Sequence, residues 1–366
     1  MAKLENYVEL AQQTMREISA DGENWRAFLA TASNVYKYGF YDQLMIYAQR
    51  PDATACASYE IWNQTMRRYV RRGAKGIALL DMTGDVPRYR YVFDISDTGT
   101  RQNARTPFTW TIREENSMPI AAMLEKEYEV SANRGLAGQL EEIAMQKAMD
   151  YWQEHQDELR DIVDGSLLME YDELNLELAF RNTATTGVQY MLLSRCGLAE
   201  EHRFEPEDFA TILEWNTPRA LSALGTAVSE ISEEVMRSIR AEARNVKEQG
   251  QQLLNYKNGE RLSGSDLKIP DEQATLGRYG RMRKAYLKEY RKMTFNSLLL
   301  TGELTAHLTE IDRTAGERVN RMVSEMAAAQ GVNEALKERD PMAWVGAMNS
   351  LKAQAEEIVL SELVYA

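Results

Sequence analysis

Cysteine is scarce in this sequence of 366 residues, which contains only two. Cys56 and Cys196 lie far apart, and neither has a partner at the spacing of a metal site. This pattern excludes the disulfide framework on which small secreted proteins depend. We therefore expect a reducing, cytoplasmic location.

Histidine is equally scarce, with three residues that stand alone: His155, His202 and His307. The sequence has no His-Glu-x-x-His helix, no phosphate-binding Gly-x-x-x-x-Gly-Lys-Ser/Thr loop and no Gly-x-Ser-x-Gly elbow. We expect a binding protein without catalytic residues, metal or cofactor. A divergent enzyme with a scattered site stays open as an alternative, and stoichiometric zinc or iron in the purified protein would indicate it.

Proline and long apolar runs are also rare. The eight prolines leave little room for long flexible linkers, while the apolar and charged fractions, 44% and 27%, are typical of a globular protein. No run approaches the roughly 18 apolar residues of a membrane-spanning helix, and the chain does not begin like a signal peptide. We expect a soluble protein with no membrane partner.

Positive charge is in deficit overall but is unevenly distributed. The net charge is −13, which argues against a protein that coats nucleic acid with its whole surface. Residues 1–115 carry roughly +1, residues 116–246 roughly −14, and the remainder is roughly neutral. Either end of the chain is therefore suited to phosphate, whereas the middle would repel it.

The periodicity of the sequence predicts a mainly helical α+β protein. Period-two patterns at 67–72 and 88–95, a short buried strand at 77–81, and a turn at Gly73 and Gly76 indicate a small antiparallel sheet. Residues 108–112 are a further candidate strand. Helical spacing dominates elsewhere, including one long helix from 278 to 312. We predict an α+β domain at 1–115, an acidic helical domain at 116–247, a linker at 248–277 and a helical domain at 278–366.

The first candidate for nucleic-acid binding is the segment RRYVRRGAKGIALLD, residues 67–81. Aromatic residues, among them Trp62, Tyr69, Tyr89 and Tyr91, accompany its basic side chains. Cations beside aromatic rings suit single-stranded nucleic acid, because phosphates meet the cations while bases stack on the rings. The alternative is a small aromatic core with a solvated arginine face. The basic residues of this segment and the following strand are Arg67, Arg68, Arg71, Arg72, Lys75, Arg88 and Arg90.

The second candidate is a basic stripe on the long helix after the predicted linker. Its cations recur every three or four residues beside an apolar stripe of tyrosine and methionine. The helix would pack by its apolar side and present its cations to phosphate or to an acidic partner. Pairing of the stripe with the acidic middle of the same chain is the alternative. The stripe comprises Arg278, Arg281, Lys284, Lys288 and Arg291.

Residues 20–100 resemble the N-terminal domain of ArdC-type antirestriction proteins. The resemblance rests on the segment YDQLMIYAQRP, a tryptophan-containing helix and the basic GAKGIALLD turn, followed by YVFDISDTGT. It implies binding of single-stranded DNA and protection of incoming DNA. The peptidase domain of the full-length proteins, with its His-Glu-x-x-His helix, has no counterpart here. The contacts that the resemblance implies are Tyr38, Gln43, Gln49, Trp62, Arg68, Arg72 and Lys75.

The rest of the chain also resembles mobile-element proteins. Residues 194–239 are similar to the helical segment that follows the ArdC-type domain in polyproteins of conjugative elements. Residues 275–366, with LGRYGRMRKAYLKEYRKMTFNSLLLTGELTAHLTEID, resemble transposon-encoded TnpV-like proteins. This resemblance implies a mobile element without implying an activity.

Together these features predict an accessory or counter-defence protein that binds DNA and shields it from restriction or CRISPR nucleases. We expect the bound DNA to be single-stranded. The alternative is an inhibitor that binds such a host nuclease directly. Its acidic region at 118–180 would then occupy a basic nucleic-acid channel, with long-range attraction supplied by the local charge.

Overall fold

The computed structural model describes residues 2–81, 88–202, 204–255, 276–333, 339 and 341–365. These residues form two compact units, one from residues 2–81 and 88–255 and the other from the described residues after 275. The chain is 74% helical, with a few short antiparallel strands. The predicted fold class, mainly helical α+β, is confirmed.

Three helices open the first unit: α1 (Ala2–Ser19), α2 (Gly22–Asn34) and α3 (Phe40–Gln49). The regularly spaced Ala11, Met15 and Ile18 of α1 are buried, as an amphipathic pattern predicts. Asp21 caps α2, because its side chain accepts a hydrogen bond from the Glu23 N–H at 3.1 Å. Helix α3 ends two residues before Pro51, which could not donate the next helical hydrogen bond.

Five strands form two small antiparallel sheets. The strands are β1 (Cys56–Ser58), β2 (Arg68–Val70), β3 (Ile77–Asp81), β4 (Arg88–Asp94) and β5 (Thr98–Thr100). In the larger sheet β4 lies between β1 and β3, and in the smaller one β2 pairs with β5. A helical turn at Ile61–Thr65 connects the first two strands.

The predicted hairpin around Gly73 and Gly76 is wrong, because the strands on either side of it belong to different sheets. Residue 69 pairs with residue 99, and the N–H of Arg71 donates to the carbonyl of Asp97 at 2.8 Å. β3 pairs instead with β4, with Leu79 opposite Arg90. The expected strand at 108–112 is also wrong. That segment is irregular, and Trp110 within it is buried.

The remainder of the first unit is helical, with α4 (Glu114–Tyr128), α5 (Gly135–Ile162), α6 (Glu173–Cys196), the short α7 (Ala199–His202) and α8 (Pro218–Asn255). Helix α2 packs on α6, and both α1 and α3 pack on α8. At Gly225 of α8 a Cβ atom would lie 2.2 Å from Cε2 of Phe40, so glycine permits this close approach. The segments 1–115 and 116–247, predicted as two domains, thus share one core.

The linker predicted at 248–277 begins within a helix. Helix α8 continues to Asn255, so residues 248–255 of the expected linker are helical. The rest of that linker up to residue 275 lies outside the described residues. Continuation of the helix agrees with its strong amphipathic pattern, which buries Val235, Met236 and Ile239 one turn after another.

The second unit contains α9 (Arg278–Tyr290), α10 (Lys292–Leu300), α11 (Leu304–Ala329) and α12 (Pro341–Val359). The single helix expected over 278–312 is therefore wrong. It is interrupted at Arg291, with φ −134° and ψ 56°, and at Gly302, whose φ of +77° suits glycine. The core of this unit is lined by small and branched residues: Ala315, Val319, Ala355, Val359 and Val364.

A buried carboxylate organises the end of β4. Asp94 accepts hydrogen bonds from the N–H groups of Thr54, Ala55 and Ser96 at 2.8 to 2.9 Å, and from the Ser96 hydroxyl at 2.7 Å. Burial alone would raise the pKa of Asp94, but the hydrogen bonds from Ala55, Ser96 and Thr54 outweigh it and lower that pKa. The ionised form of Asp94 therefore stabilises the fold.

Replacement of this carboxylate should weaken the protein in a pH-dependent way. We expect Asp94→Asn to lower the free energy of unfolding by about 2 kcal/mol at neutral pH, because charged acceptors make the stronger hydrogen bonds. In the folded protein the pKa of Asp94 lies below the ordinary value of 3.8. The stability that the ionised Asp94 contributes is therefore fully present above pH 3.8 and is lost as the pH falls through the pKa of the folded state.

Urea unfolding at pH 7 and at pH 3 measures this effect. The control is Asp52→Asn on the neighbouring turn, where the carboxylate is 80% exposed and pairs with Arg50 at 3.0 Å. Such a surface pair contributes about 0–1 kcal/mol. Equal losses in the two variants at pH 7 would refute the assigned role of Asp94.

Candidate nucleic-acid interface

Five predicted cations are exposed at the sheet of the first unit and define what we call the basic loop surface. None of them forms an ion pair with a carboxylate of the described residues, and only Arg71 donates a hydrogen bond, to the Ser96 carbonyl at 3.3 Å. Their charges are therefore available to an anionic partner. The basic loop surface consists of Arg67, Arg71, Arg72, Lys75 and Arg88.

Two exposed tyrosines accompany these cations. Tyr69 is 43% exposed and Tyr91 is 54% exposed. The Tyr69 ring crosses Gly99 on β5, where a Cβ atom would lie 2.4 Å from its Cζ. Tyr91 covers Gly76, which directly follows Lys75, with a Cβ-to-Cδ1 distance of 3.1 Å. Glycine on the facing strand or turn thus lets each ring lie flat against the backbone, beside the cations.

Three other predicted contact residues hold the fold together. Gln43 is buried and donates to the Tyr38 carbonyl at 2.6 Å, and buried Trp62 donates through Nε1 to the Phe93 carbonyl at 2.8 Å. Gln49 accepts from the N–H of Ala78 and donates to its carbonyl, both at 2.9 Å. The side chain of Gln49 therefore connects α3 to β3 by two hydrogen bonds of the kind that a neighbouring strand would form with the β3 backbone.

The remaining predicted residues of this unit are half-buried and engaged within the protein. Tyr38 donates its hydroxyl to the Cys56 carbonyl at 2.9 Å, and Arg68 donates to the Thr98 hydroxyl at 2.7 Å. Arg90 pairs with Asp42. Burial raises the pKa of Asp42 to about 6 although the charge of Arg90 acts in the opposite direction. These three residues support the basic loop surface without belonging to it.

The predicted basic stripe of α9 does not form a continuous solvent-facing row. Lys284 is buried, with 8% exposure. Arg278 pairs with Glu356 at 2.8 Å, and Arg281 donates to the Leu276 carbonyl. Lys288 lies 5.6 Å from the Phe295 ring centroid, and Arg291 occupies the break between α9 and α10. The stripe is largely used within its own unit.

A cavity in the first unit brings together three cations that the sequence did not single out. Lys37 precedes α3, Arg195 lies in the last turn of α6, and Arg240 lies on α8. Lys37 and Arg195 have no basic cluster around them in the sequence, whereas Arg240 follows Arg237 and precedes Arg244 at helical spacing on α8. Only the packing of α6 and α8 against the sheet could reveal them.

Two features are absent from the described part of the chain. There, no helix has both the length and the apolar character required to cross a membrane. Within the same residues, no group of three or more His, Cys, Asp or Glu side chains is arranged to hold a metal ion.

The molecule is thus a mainly helical α+β protein with an exposed basic and aromatic surface in its first unit and a separate helical second unit. Residues 255–364 match the family model of TnpV, the transposon-encoded protein TnpV. This match confirms the predicted TnpV-like region, begins earlier than residue 275 and indicates a mobile-element protein. Nothing among the curated proteins or the solved structures matches the chain. The ArdC-type resemblance of residues 20–100 gains no support from these comparisons and stays a prediction.

The position of Gln49 predicts a loss of stability rather than of ligand contact. We expect Gln49→Ala to lower the free energy of unfolding by about 1–3 kcal/mol, because it leaves the N–H and carbonyl of Ala78 without their partner. Thermal unfolding measures the change. The matched control is Gln64→Ala on the helical turn before β2, where the side chain is exposed. A stable Gln49→Ala protein would return Gln49 to the list of candidate contacts.

Proposed function

We propose that this mobile-element protein binds single-stranded DNA through the basic loop surface and shields that DNA from host restriction or CRISPR nucleases. The observation that carries the proposal is the set of five exposed cations that have no carboxylate partner among the described residues and that accompany Tyr69 and Tyr91. Phosphates would bind the cations, and bases would stack on the rings for about 1–3 kcal/mol each.

The charge distribution supports a local rather than an extended contact. The chain as a whole carries −13, so DNA would be repelled from most of the surface and attracted to this one. Single strands suit the surface better than duplex, because their bases are free to lie against exposed rings. The proposed action needs no chemical step, since bound protein would cover the strand. The ArdC-type resemblance and the transposon-encoded domain both agree with a role on a mobile element.

Neutralising the loop should weaken DNA binding and reduce its dependence on salt. The variant Arg71→Gln, Arg72→Gln, Lys75→Gln keeps side-chain length while removing three charges. Each phosphate contact on a single strand contributes about −0.7 to the slope of log K against log salt, so the slope should become shallower by about 2. Fluorescence anisotropy with a labelled thymidine oligonucleotide across a salt series measures both quantities.

A matched variant controls for net charge. Arg26, Arg134 and Arg160 also lie in the first unit, but each pairs with a carboxylate, at 2.8, 3.1 and 2.5 Å at the closest. Their replacement by glutamine should leave affinity nearly unchanged. Equal weakening in the two triple variants, or binding that is insensitive to salt, would contradict the proposal.

A second candidate function, direct inhibition of a host nuclease, is favoured by apolar side chains exposed in the acidic helical region. Leu174 and Leu178, one turn apart on α6, are 65% and 43% exposed, and Leu167 and Met169 before that helix are 59% and 55% exposed. Exposed apolar groups among acidic residues are typical of a protein interface with a basic partner.

This second function predicts a partner that survives nuclease treatment. Wild-type protein should retain a restriction or CRISPR nuclease from nuclease-treated host lysate, and Leu174→Ser with Leu178→Ser should lose it, because the apolar contact is removed. Met342→Ser on α12, where the side chain is 82% exposed and lies outside the acidic region, is the control and should retain the partner. Loss of every partner on nuclease treatment would leave DNA binding as the function.

A further inference from the structure

A cavity of about 640 Å³ lies within the first unit, and none of the cations of the basic loop surface lines it. Its walls come from the turn before α3, from residues 54–57 around β1, from the irregular segment 107–110, and from α6 and α8. The volume falls in the range of about 300–1,000 Å³ that is usual for small-ligand pockets. The cavity is therefore large enough for a small organic molecule.

The described lining of this cavity contains three cations, Lys37, Arg195 and Arg240, and no carboxylate. Among the described residues neither arginine has an ion-pair or hydrogen-bond partner, and the Nε atom of each is buried without one. Two other arginines of α8 are paired: Arg237 with Glu233 and Arg244 with Glu248, each at 2.6 Å. The two cavity arginines thus lack the compensation that their neighbours have.

The cations act on one another across the cavity. Desolvation, and then the charges of Arg240, Arg237 and Arg195, lower the pKa of Lys37. Burial lowers the pKa of Arg195 as well. Uncompensated charge out of water is costly. An anion placed among these groups would relieve both the desolvation and the mutual repulsion, so the site favours a negatively charged ligand.

Arg195 is held in position by stacking rather than by a carboxylate. Its guanidinium carbon lies 4.2 Å from the centroid of the Trp110 ring, and Trp110 donates through Nε1 to the Tyr36 hydroxyl at 3.2 Å. A guanidinium stacked in this way keeps its in-plane N–H donors free for a bidentate acceptor such as phosphate. The group is thus oriented before any ligand arrives.

Five of the other residues that line the cavity are aromatic. Flat rings accept a flat ligand, and tyrosine and tryptophan stack well against nucleobases. A ligand that carries both a phosphate and an aromatic ring would match the cations and the aromatic residues of the lining. The aromatic residues that line the cavity are Tyr36, Tyr38, Trp62, Phe108 and Trp110.

We infer that this cavity binds a nucleoside monophosphate, with the phosphate at Arg195, Arg240 and Lys37 and the base against the aromatic wall. The inference does not depend on the basic loop surface. The nucleotide has two sources, a free molecule or one unit of a DNA strand. A neighbouring cavity of about 390 Å³ shares Met66, Phe108 and Arg240 with the first and adds Arg105, Lys247 and the Arg244–Glu248 pair, so its lining keeps an excess of positive charge along which a strand could continue.

Fluorescence titration of the full chain tests the inference, because Trp62 and Trp110 line the cavity and report on occupancy. The probes are adenosine 5′-monophosphate, adenosine, inorganic phosphate and a short 5′-phosphorylated deoxyadenosine oligonucleotide. We expect the monophosphate or the oligonucleotide to bind, and adenosine or phosphate alone to bind at least 10-fold more weakly. Arg195→Gln with Arg240→Gln should weaken binding about 10- to 100-fold, since hydrogen bonds between charged groups are lost.

The probes distinguish a free nucleotide from a nucleotide within a DNA strand. The variants distinguish binding in the cavity from DNA binding at the basic loop surface. Binding of the free monophosphate supports a free ligand, and binding of the oligonucleotide alone supports a strand, provided that the double variant loses it. The triple variant of the basic loop surface should keep its affinity for the monophosphate, so failure of the DNA-binding proposal leaves this result unaffected.

Several results would overturn the inference: no binding of either phosphorylated probe, unchanged affinity in the double variant, or adenosine or phosphate alone binding as tightly as the monophosphate. Circular dichroism establishes that the double variant is folded. Should it unfold, Lys37→Gln at the exposed rim takes its place, with an expected loss of about 3- to 10-fold. Unchanged affinity in that variant would overturn the inference equally.

Discussion

The hydrogen bonds that Asp94 accepts are the interaction on which the N-terminal sheet depends. One carboxylate at the end of β4 binds the backbone before β1, at Thr54 and Ala55, and the backbone after β4, at Ser96. These segments are far apart in sequence, so the carboxylate fixes the register of β1 against β4. Because the group is buried and its acceptor sites are occupied, neither segment is free to move without exposing or breaking several hydrogen bonds at once.

Both proposed sites stand on this arrangement. Thr54, Ala55, Cys56 and Ile95 line the cavity directly beside Asp94. On the other side, Asp97 accepts both a backbone hydrogen bond from Arg71 and a two-pronged ion pair from Arg50 at 3.0 and 3.1 Å. The loop that presents the cations therefore begins from the turn that Asp94 organises. The buried carboxylate of Asp94 thus positions both the exposed basic loop surface and part of the wall of the cavity that contains the three cations.

The sequence predicted those features that local pattern determines. The apolar run at 77–81 and the alternation at 88–95 predicted β3 and β4, because each strand needs a buried face regardless of its partner. The pairing of β2 with β5 was not predictable, since the hydrogen bond from Arg71 to Asp97 and the conformation at Gly73 decide it. Helical spacing likewise placed Lys284 in a stripe but could not show that tertiary packing buries it. The sequence did not predict that Lys37, Arg195 and Arg240 lie together, because each comes from a different segment of the chain.

The two groups of cations differ in their solvation. We expect this difference to give them different selectivity for anionic ligands. On the basic loop surface water solvates each cation, so salt screens its attraction and sequence-independent contact with phosphate is favoured. In the cavity the two arginines are partly desolvated and unpaired, so attraction to an anion is stronger and geometry becomes decisive. The acidic helices around them, with roughly −14 over residues 116–246, disfavour anions elsewhere. Within the described residues, we therefore expect a negatively charged ligand to favour the basic loop surface or the cavity cations over the acidic helices.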